Sequence, residues 1–353
     1  MTSIFPTQED LQPYQAYDHL DAFFTAHQDE VVEIEILPSG FDPTDGFSMQ
    51  QGIHIGIPKK VLRLAFLDAR SRFFDTGYVW TVSCAPVSLE DGGLTKDMQT
   101  KLQSTRIMLL FDPEHLTAAN YRKRCLENRM KLMFADKVID HEVQFLNSIL
   151  TSPLHRQSKS PTLWNHRYWL VSKYCVPRRL NDLVDFVLQE LGIVCKSSER
   201  HPRNYYAFGY ARRLVDQVKN EFRSDFPKLL TNAVAMVGDW CLRNPSDTSG
   251  WSFLTFLLQS MPHGQDRGVT VHKIVDYAIT LRLRNESLWN FIRGRLADGT
   301  LTERWNDSLR SRLWVERYGG SVADNDEVQQ YRVRVAATLD WEYRFRVEGM
   351  RSY

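Results

Sequence analysis

Apolar residues recur at helical spacing along much of the chain after about residue 97. The clearest stripe holds six aliphatic residues at relative positions 0, 3, 4, 7, 8 and 11: Leu180, Leu183, Val184, Val187, Leu188 and Leu191. Related stripes run over residues 139–150 and 271–279. Residues at these spacings share one face of an α-helix, so each stripe predicts an amphipathic helix. We therefore expect residues 98–300 to be all-α.

The first 100 residues follow a different pattern. Residues 13–28 and 60–75 each predict a helix, and the alternating β-branched run over residues 31–37 predicts a strand. Residues 40–57 are rich in glycine and predict an irregular loop. We therefore expect a mixed N-terminal extension over residues 1–97 and a helical C-terminal extension over residues 301–353.

An aromatic-centred motif recurs through the helical region. Its central positions are Ala119, Trp164, Phe208, Trp251 and Trp289, separated by 45, 44, 43 and 38 residues. A period near 40 with two helical patterns in each period predicts stacked helical hairpins. We expect an α–α superhelix of about five hairpins, with each central residue, here called the anchor, early in the second helix of its pair.

The anchors are expected to serve mainly in packing. One hairpin cannot bury its apolar face alone, and a large flat side chain at a fixed place fills the groove against the next hairpin. In the second repeat, Ser160 followed by Pro161 is typical of a helix start. We expect His166 and Arg167 to bond to turn carbonyls of the neighbouring hairpin.

Composition limits the partners and the compartment. Lys plus Arg number 44 and Asp plus Glu number 43, so no overall basic field favours a nucleic acid. Five widely spaced Cys without a CxxC pair argue against a disulfide framework and a Cys-rich zinc site. No apolar stretch approaches the roughly 18 residues of a membrane helix, and no signal-peptide pattern begins the chain. We expect a cytoplasmic protein that is not integral to a membrane.

The nine Trp residues indicate a protein partner, because aromatic-rich chains usually have large buried interfaces. Three of them are anchors. Among the Trp residues that the repeat does not explain, any that is exposed in the isolated chain would mark the partner surface. These residues are Trp80, Trp240, Trp305, Trp314 and Trp341.

Three segments resemble the repeat of protein prenyltransferase α subunits, Asn-Tyr-x-x-Trp-x-His-Arg-x-x-Leu/Val. Residues 160–171 (SPTLWNHRYWLV) match it from the Trp onward, residues 204–208 (NYYAF) match its first half, and residues 285–294 (NESLWNFIRG) match the final repeat. The repeat residues in these segments are Trp164, Asn165, His166, Arg167, Phe208, Trp289 and Asn290, and the fourth repeat keeps only Trp251. The resemblance covers about residues 105–300. It is nearest to the branch called protein prenyltransferase α-subunit repeat-containing proteins.

The resemblance implies one subunit of a heterodimeric enzyme. In that family a protein Cys thiolate attacks C1 of an isoprenoid diphosphate, and a Zn²⁺ in the β subunit keeps the Cys as the thiolate. No metal or other cofactor is then expected in this chain. For this branch the resemblance implies geranylgeranyl transfer, a Rab-type β subunit, and a protein acceptor with a C-terminal Cys, such as an already farnesylated SNARE.

The resemblance also implies the site residues. The family places a Lys five residues before the Trp of the second repeat, which is Lys159 here, and fixed cations stabilise a departing diphosphate. Arg203 is its counterpart before Phe208. Asn204, Tyr205 and Tyr206 match the family's Asn-Tyr-His at the subunit junction, with Tyr206 in place of the His. The alternative is that Lys159 is a solvated residue of the basic loop 155–159 and that residues 203–206 only shape a hairpin.

Two other functions compete with this one. The first repeat has Ala119 in place of Trp, the fourth keeps only Trp251, and residues 1–100 match no family segment. These departures favour a non-enzymatic adaptor that binds a protein partner in a concave face. The α subunit of the ordinary farnesyl and type I geranylgeranyl enzymes is less favoured, because its repeats would keep more of the His-Arg pairs.

Overall fold

The computed structural model describes residues 12–41, 43–74, 95–130, 135–177, 180–224, 226–261, 267–297, 301–318 and 326–350. The chain divides into two compact units, one up to Val176 and one from Pro177 onward. The boundaries expected from the sequence at residues 97 and 300 stay predictions. Trp80 and residues 1–11 lie outside the described residues.

In the described residues of the first unit, a helix, a small sheet and a second helix are followed by two helical hairpins. Its elements are α1 (Pro13–Ala26), β1 (Glu33–Leu37), β2 (Met49–Gln51), β3 (His54–Pro58), α2 (Lys59–Phe74), α3 (Lys96–Phe111), α4 (Leu116–Arg129), α5 (Ala135–Leu150), the short α6 (His155–Ser158) and α7 (Pro161–Leu170). A π-helical turn at Val171–Cys175 follows α7. The predicted strand and the two predicted N-terminal helices are confirmed.

The prediction of an irregular loop over residues 40–57 is wrong for its second half. The sheet has the order β1-β3-β2, with β3 parallel to β1 and antiparallel to β2. Gly52, with φ of 56°, lies in the turn between β2 and β3, where the left-handed conformation suits glycine. Ile55 and Ile57 alternate into the core and are fully buried, which stabilises β3 as a strand.

The two hairpins of the first unit are α3 with α4 and α5 with α7. Thr95 caps α3 by accepting a hydrogen bond from the Met98 N–H. Helix α7 packs against both α4 and α5, so the second hairpin is stacked on the first. The helices α1, α2 and α3 pack side by side and extend this arrangement toward the N-terminus.

The described residues of the second unit form four helical hairpins. Its helices are α8 (Leu180–Arg200), α9 (Tyr205–Glu221), α10 (Phe226–Arg243), α11 (Thr248–Ser260), α12 (Arg267–Thr280), α13 (Glu286–Ala297), α14 (Glu303–Tyr318) and α15 (Asp326–Met350). Helix α10 packs against α8, α11 and α12, and α11 packs against α9 and α13. Each helix therefore contacts its counterpart in the next hairpin, as stacked repeats require.

These elements confirm the all-α, helical-repeat fold class. The predicted α8 stripe is buried at Leu183, Val187 and Leu191. Within the described residues five hairpins carry an anchor, and the hairpin of α14 and α15 follows them. Among the helices that the structure describes, none is both long and apolar enough to cross a membrane.

Candidate functional site

The five anchors occupy one equivalent place in the fold. Each is the fourth residue of the second helix in its hairpin, as in α7, which begins at Pro161 and has Trp164 in fourth place. The anchor's backbone N–H donates to the carbonyl of the residue four positions earlier, at 3.1 to 3.3 Å in all five repeats. The predicted repeat is therefore confirmed as one recurring helix start.

Four of these helices are capped by the side chain of the residue four positions before the anchor. The cap accepts a hydrogen bond from the backbone N–H of the residue just before the anchor, as N-cap residues do. The caps are His115 Nδ1 at 3.3 Å, Ser160 Oγ at 3.0 Å, Asn204 Oδ1 at 3.2 Å and Asp247 Oδ1 at 2.9 Å. The predicted cap at Ser160 is confirmed. In the fifth repeat, Asn285 Nδ2 donates to Ser246 Oγ at 2.7 Å.

Each of the three Trp anchors forms a hydrogen bond to the segment that precedes its helix. The indole N–H donates to the carbonyl six residues earlier: Trp164 to Ser158 at 2.7 Å, Trp251 to Pro245 at 3.0 Å and Trp289 to Leu283 at 2.8 Å. All three rings are almost fully buried. A Trp at this position therefore fills the space between helices and also fixes the course of the loop.

The side chain of Phe208 has no N–H group to donate, so it acts only through its packing. Its ring centroid lies 5.6 Å from Trp240 and 5.5 Å from Phe253, and all three rings are buried. The packing role expected of the third anchor is thus seen directly.

Two members of the second repeat, His166 and Arg167, are buried against α5. Arg167 Nη1 donates to Asn147 Oδ1 at 2.7 Å, and His166 Nε2 lies 3.2 Å from Glu142 Oε1. We expected turn carbonyls as their partners, whereas these contacts are with side chains on a helix. Asn165 of the same repeat is exposed.

Glu142 joins the two hairpins of the first unit through Arg122. Arg122 Nε donates to Glu142 Oε1 at 2.8 Å, and both side chains are buried. Burial alone would raise the pKa of Glu142, but the guanidinium of Arg122 and the nearby His166 hold it well below its usual range. Burial lowers the pKa of His166 although Glu142 opposes that shift. The arrangement is therefore an ion pair with a neutral imidazole beside it.

Lys159 lies in a firmly held loop between α6 and α7. Its backbone N–H donates to the His155 carbonyl at 3.3 Å, and the carbonyl just before it, on Ser158, accepts the Trp164 indole. Gln157 Nε2, in α6 just before this loop, donates to the Leu110 carbonyl at 2.6 Å and so links α6 to α3. The side chain of Lys159 is half-buried. The fold thus fixes the backbone from which a Lys at this place extends.

Arg203 to Tyr206 form the corresponding segment of the second unit. Arg203 is exposed and has a φ of 61°, in the left-handed region that non-glycine residues rarely adopt. Its backbone N–H donates to Asp247 Oδ2 at 2.7 Å. Asn204 caps α9, while Tyr205 is exposed and its ring centroid lies 4.1 Å from that of Tyr206.

Asp247 is a residue that sequence reasoning missed. One carboxylate oxygen caps α11 and the other holds the backbone of Arg203, so the residue joins two successive hairpins. The available signal was an acidic residue four positions before Trp251, at the place of Ser160 and Asn204 in the other repeats.

The described residues offer no metal centre of their own: among them, no group of three or more His, Cys, Asp or Glu side chains is arranged to hold an ion. The four described cysteines are Cys125, Cys175, Cys195 and Cys241, and all are free thiols. Burial raises the pKa of the Cys125 thiol to about 11, which keeps it protonated and unreactive near neutral pH.

Comparisons with known proteins found one family model and several curated relatives that match part of the chain. A family model described as the ECM9 middle domain matches residues 163–282, which include Trp164, Phe208 and Trp251. The protein prenyltransferase alpha subunit repeat-containing protein 1-A of Xenopus laevis is 25% identical, over 44% of this chain and 36% of its own length. The geranylgeranyl transferase type-2 subunit alpha of Candida albicans is 29% identical, over 36% of this chain and 34% of its own length.

Over the matched segments, the chain is similar to proteins named as prenyltransferase α subunits or α-subunit repeat-containing proteins. A third relative, the protein prenyltransferase alpha subunit repeat-containing protein 1 of Danio rerio, is 26% identical over 47% of this chain. The matched segment spans little more than a third of the length of these curated relatives. The resemblance to prenyltransferase α subunits is confirmed over part of the chain, while the roles expected of Lys159 and residues 203–206 stay predictions.

Proposed function

We propose that this chain is the α subunit of a heterodimeric protein prenyltransferase that transfers a geranylgeranyl group to a protein Cys thiolate. One observation carries the proposal: relatives named as prenyltransferase α subunits match this chain, in which five helices begin in the same way around an anchor. Such a start repeated at a near-constant period is a property of the scaffold and not of one helix.

In this proposal the chain supplies a scaffold and a cation. The ammonium group of Lys159 stabilises the negative charge that develops on the departing diphosphate. Its held loop keeps that charge in place, so little reorganisation accompanies the reaction. The zinc and most of the isoprenoid pocket are expected in the β subunit, and no step on the metal involves a residue of this chain.

The exposed aromatic face of α14 supports the existence of a protein partner. Trp314 and Tyr318 are 57% and 58% exposed, and their ring centroids lie 4.3 Å apart. Val315, on the same helix, is also largely exposed. An apolar patch of this kind typically marks a protein interface. Of the Trp residues that the repeat does not explain, Trp240 is buried, whereas Trp314 and Trp341 are exposed.

Co-expression with candidate β subunits tests the proposal. A Rab-type β subunit is expected to form a 1:1 complex that transfers an isoprenoid to an acceptor bearing a C-terminal Cys, with a farnesylated SNARE as one acceptor to try. A chain that binds none of the β subunits would instead favour the adaptor. The departures of the first repeat, such as Ala119 in place of Trp, are the observation that keeps the adaptor as the second candidate.

A further inference from the structure

The first unit contains a cavity of about 640 Å³ between the N-terminal elements and the two hairpins. It is bounded by the end of α1, by β1 and the residues before it, and by α3, α4 and α5. Its size falls in the range of pockets that hold small organic ligands. None of the site residues predicted from the sequence lines it.

Much of the cavity wall is apolar. The apolar lining includes Ile34, Leu102, Leu110, Leu126, Phe145 and Ile149. Ile34, Leu110 and Ile149 are almost fully buried, so this wall is part of the packed core. A hydrocarbon body placed against it would leave water at a gain of roughly 25 cal/mol for each Å² of apolar surface removed from solvent.

The charged groups of the wall leave an excess of positive charge. Arg106 is paired with Asp21 at 2.6 Å, Arg122 with Glu142 at 2.8 Å and His141 with Asp29 at 2.7 Å. His27 is paired with Glu30. These four pairs account for every acidic side chain of the lining.

Two lining cations lack such a partner. Within the described part of the chain, Arg129 and Lys137 make neither a hydrogen bond nor an ion pair. Arg129 Nε is buried and unpaired, which is costly for a guanidinium unless a ligand or water supplies the acceptor. The wall therefore presents, beside an apolar surface, two cationic side chains that have no ion-pair partner among the described residues.

We propose that this cavity binds an amphiphilic phosphomonoester, with its hydrocarbon body against the apolar wall and its phosphate between Arg129 and Lys137. A phosphomonoester carries a charge of about −1.5 to −2 at neutral pH, which matches the two unpaired cations. Its oxygens accept hydrogen bonds from a guanidinium in the fork geometry that Arg favours.

Calorimetric titration of the full chain with decyl phosphate, kept below its micelle-forming concentration, tests the proposal. We expect saturable 1:1 binding. Decanol lacks the charge, inorganic phosphate lacks the body and decanoate carries a single charge, so each should bind at least about tenfold more weakly. No binding of decyl phosphate would overturn the proposal. If decanol or decanoate bound as tightly as decyl phosphate, the assignment of the phosphate head group would be wrong. If inorganic phosphate bound as tightly, the assignment of the hydrocarbon body to the apolar wall would be wrong.

Two variants and two matched controls place the ligand. R129Q and K137Q should each weaken decyl phosphate binding about tenfold, because each removes one charge from the head-group site. R63Q and K59Q remove the same charges from exposed positions on α2 outside the lining and should bind like the parent chain. Among the described residues neither Arg129 nor Lys137 has a hydrogen-bond or ion-pair partner to lose, so unchanged thermal melting serves as the folding control. Equal affinity of R129Q and R63Q would contradict the proposed site.

Discussion

The indole N–H of Trp164 donates a 2.7 Å hydrogen bond to the carbonyl of Ser158, the residue immediately before Lys159. The same bond recurs between Trp251 and Pro245 and between Trp289 and Leu283. The spacing of six residues is identical in the three repeats, so the bond belongs to the architecture. It explains why Trp, and not just any large apolar side chain, suits the anchor position.

Replacing this Trp with Phe isolates the hydrogen bond from the packing. We expect W164F to lower the free energy of unfolding by about 1–3 kcal/mol, because a buried carbonyl loses its donor while most of the ring volume remains. W164A should cost about 3–5 kcal/mol, because the packing is lost as well. Denaturant unfolding monitored by circular dichroism measures both.

W314F provides the matched control for W164F. Trp314 is exposed, and a surface substitution of this kind should change stability by less than about 0.5 kcal/mol. A W164F variant as stable as W314F would show that the indole bond contributes nothing.

The Asp247 carboxylate supports two backbone groups at once. D247A should destabilise the chain by about 1–2 kcal/mol, since it removes the cap of α11 and the partner of the Arg203 N–H. D247N keeps one acceptor oxygen and should lose roughly half as much. Denaturant titration compares the two with D239A, a charge removal at an exposed surface ion pair. Equal stability of D247A and D239A would refute the linking role.

Stability should depend on pH through His166. Its folded pKa is lowered from 6.5 by burial, so the unfolded chain takes up this proton more readily than the folded chain. The stabilisation is complete above pH 6.5 and is lost as the pH falls toward the folded pKa. Each pH unit in that window should cost up to about 1.4 kcal/mol. Below about pH 4.5, protonation of Glu142 lowers the stability of the fold further, because its pKa is also lowered in the folded chain.

The pH slope of H166Q measures the share of this effect that comes from His166, because burial also lowers the pKa of His19. H166Q should flatten the dependence of the free energy of unfolding on pH between 7 and 5, whatever its effect on absolute stability. H54Q makes the same substitution at an exposed position of β3 and serves as the matched control. Identical slopes in H166Q and the parent chain would contradict the assignment.

The sequence predicted the parts of the fold that depend on local spacing. The α8 stripe, the Ser160 cap and the places of the anchors follow from residues within a few turns of one another. The strands β2 and β3 could not be predicted in this way, because both strands are short and glycines interrupt residues 49–58. The parallel partner of β3, Glu33–Leu37, lies about twenty residues earlier in the chain.

The pairing of the buried polar groups could not be predicted from the sequence either. Arg122 and Glu142 are 20 residues apart on different helices, and neither lies in a motif that signals an ion pair. The cavity depends in the same way on five elements that only the fold brings together. Such sites reflect tertiary packing, which periodicity and capping patterns do not report.

Lys159 is tested by a change that spares the fold. K159A should leave assembly with a β subunit intact and slow prenyl transfer in a single turnover on the order of 100-fold, as expected for loss of one charge-stabilising donor. K159R should restore part of the rate. R156A removes a cation from α6, directly before this loop, at an exposed ion pair with Asp112, and should leave the rate unchanged. An unchanged rate in K159A would remove Lys159 from the mechanism.

The most direct test of the central claim is the mass and activity of the chain after co-expression with a Rab-type β subunit. We expect light scattering to report a 1:1 heterodimer that transfers labelled geranylgeranyl to a Cys-bearing acceptor, an activity absent from either chain alone. A chain that elutes separately from every prenyltransferase β subunit, with no transfer in the mixture, would contradict its role as an α subunit.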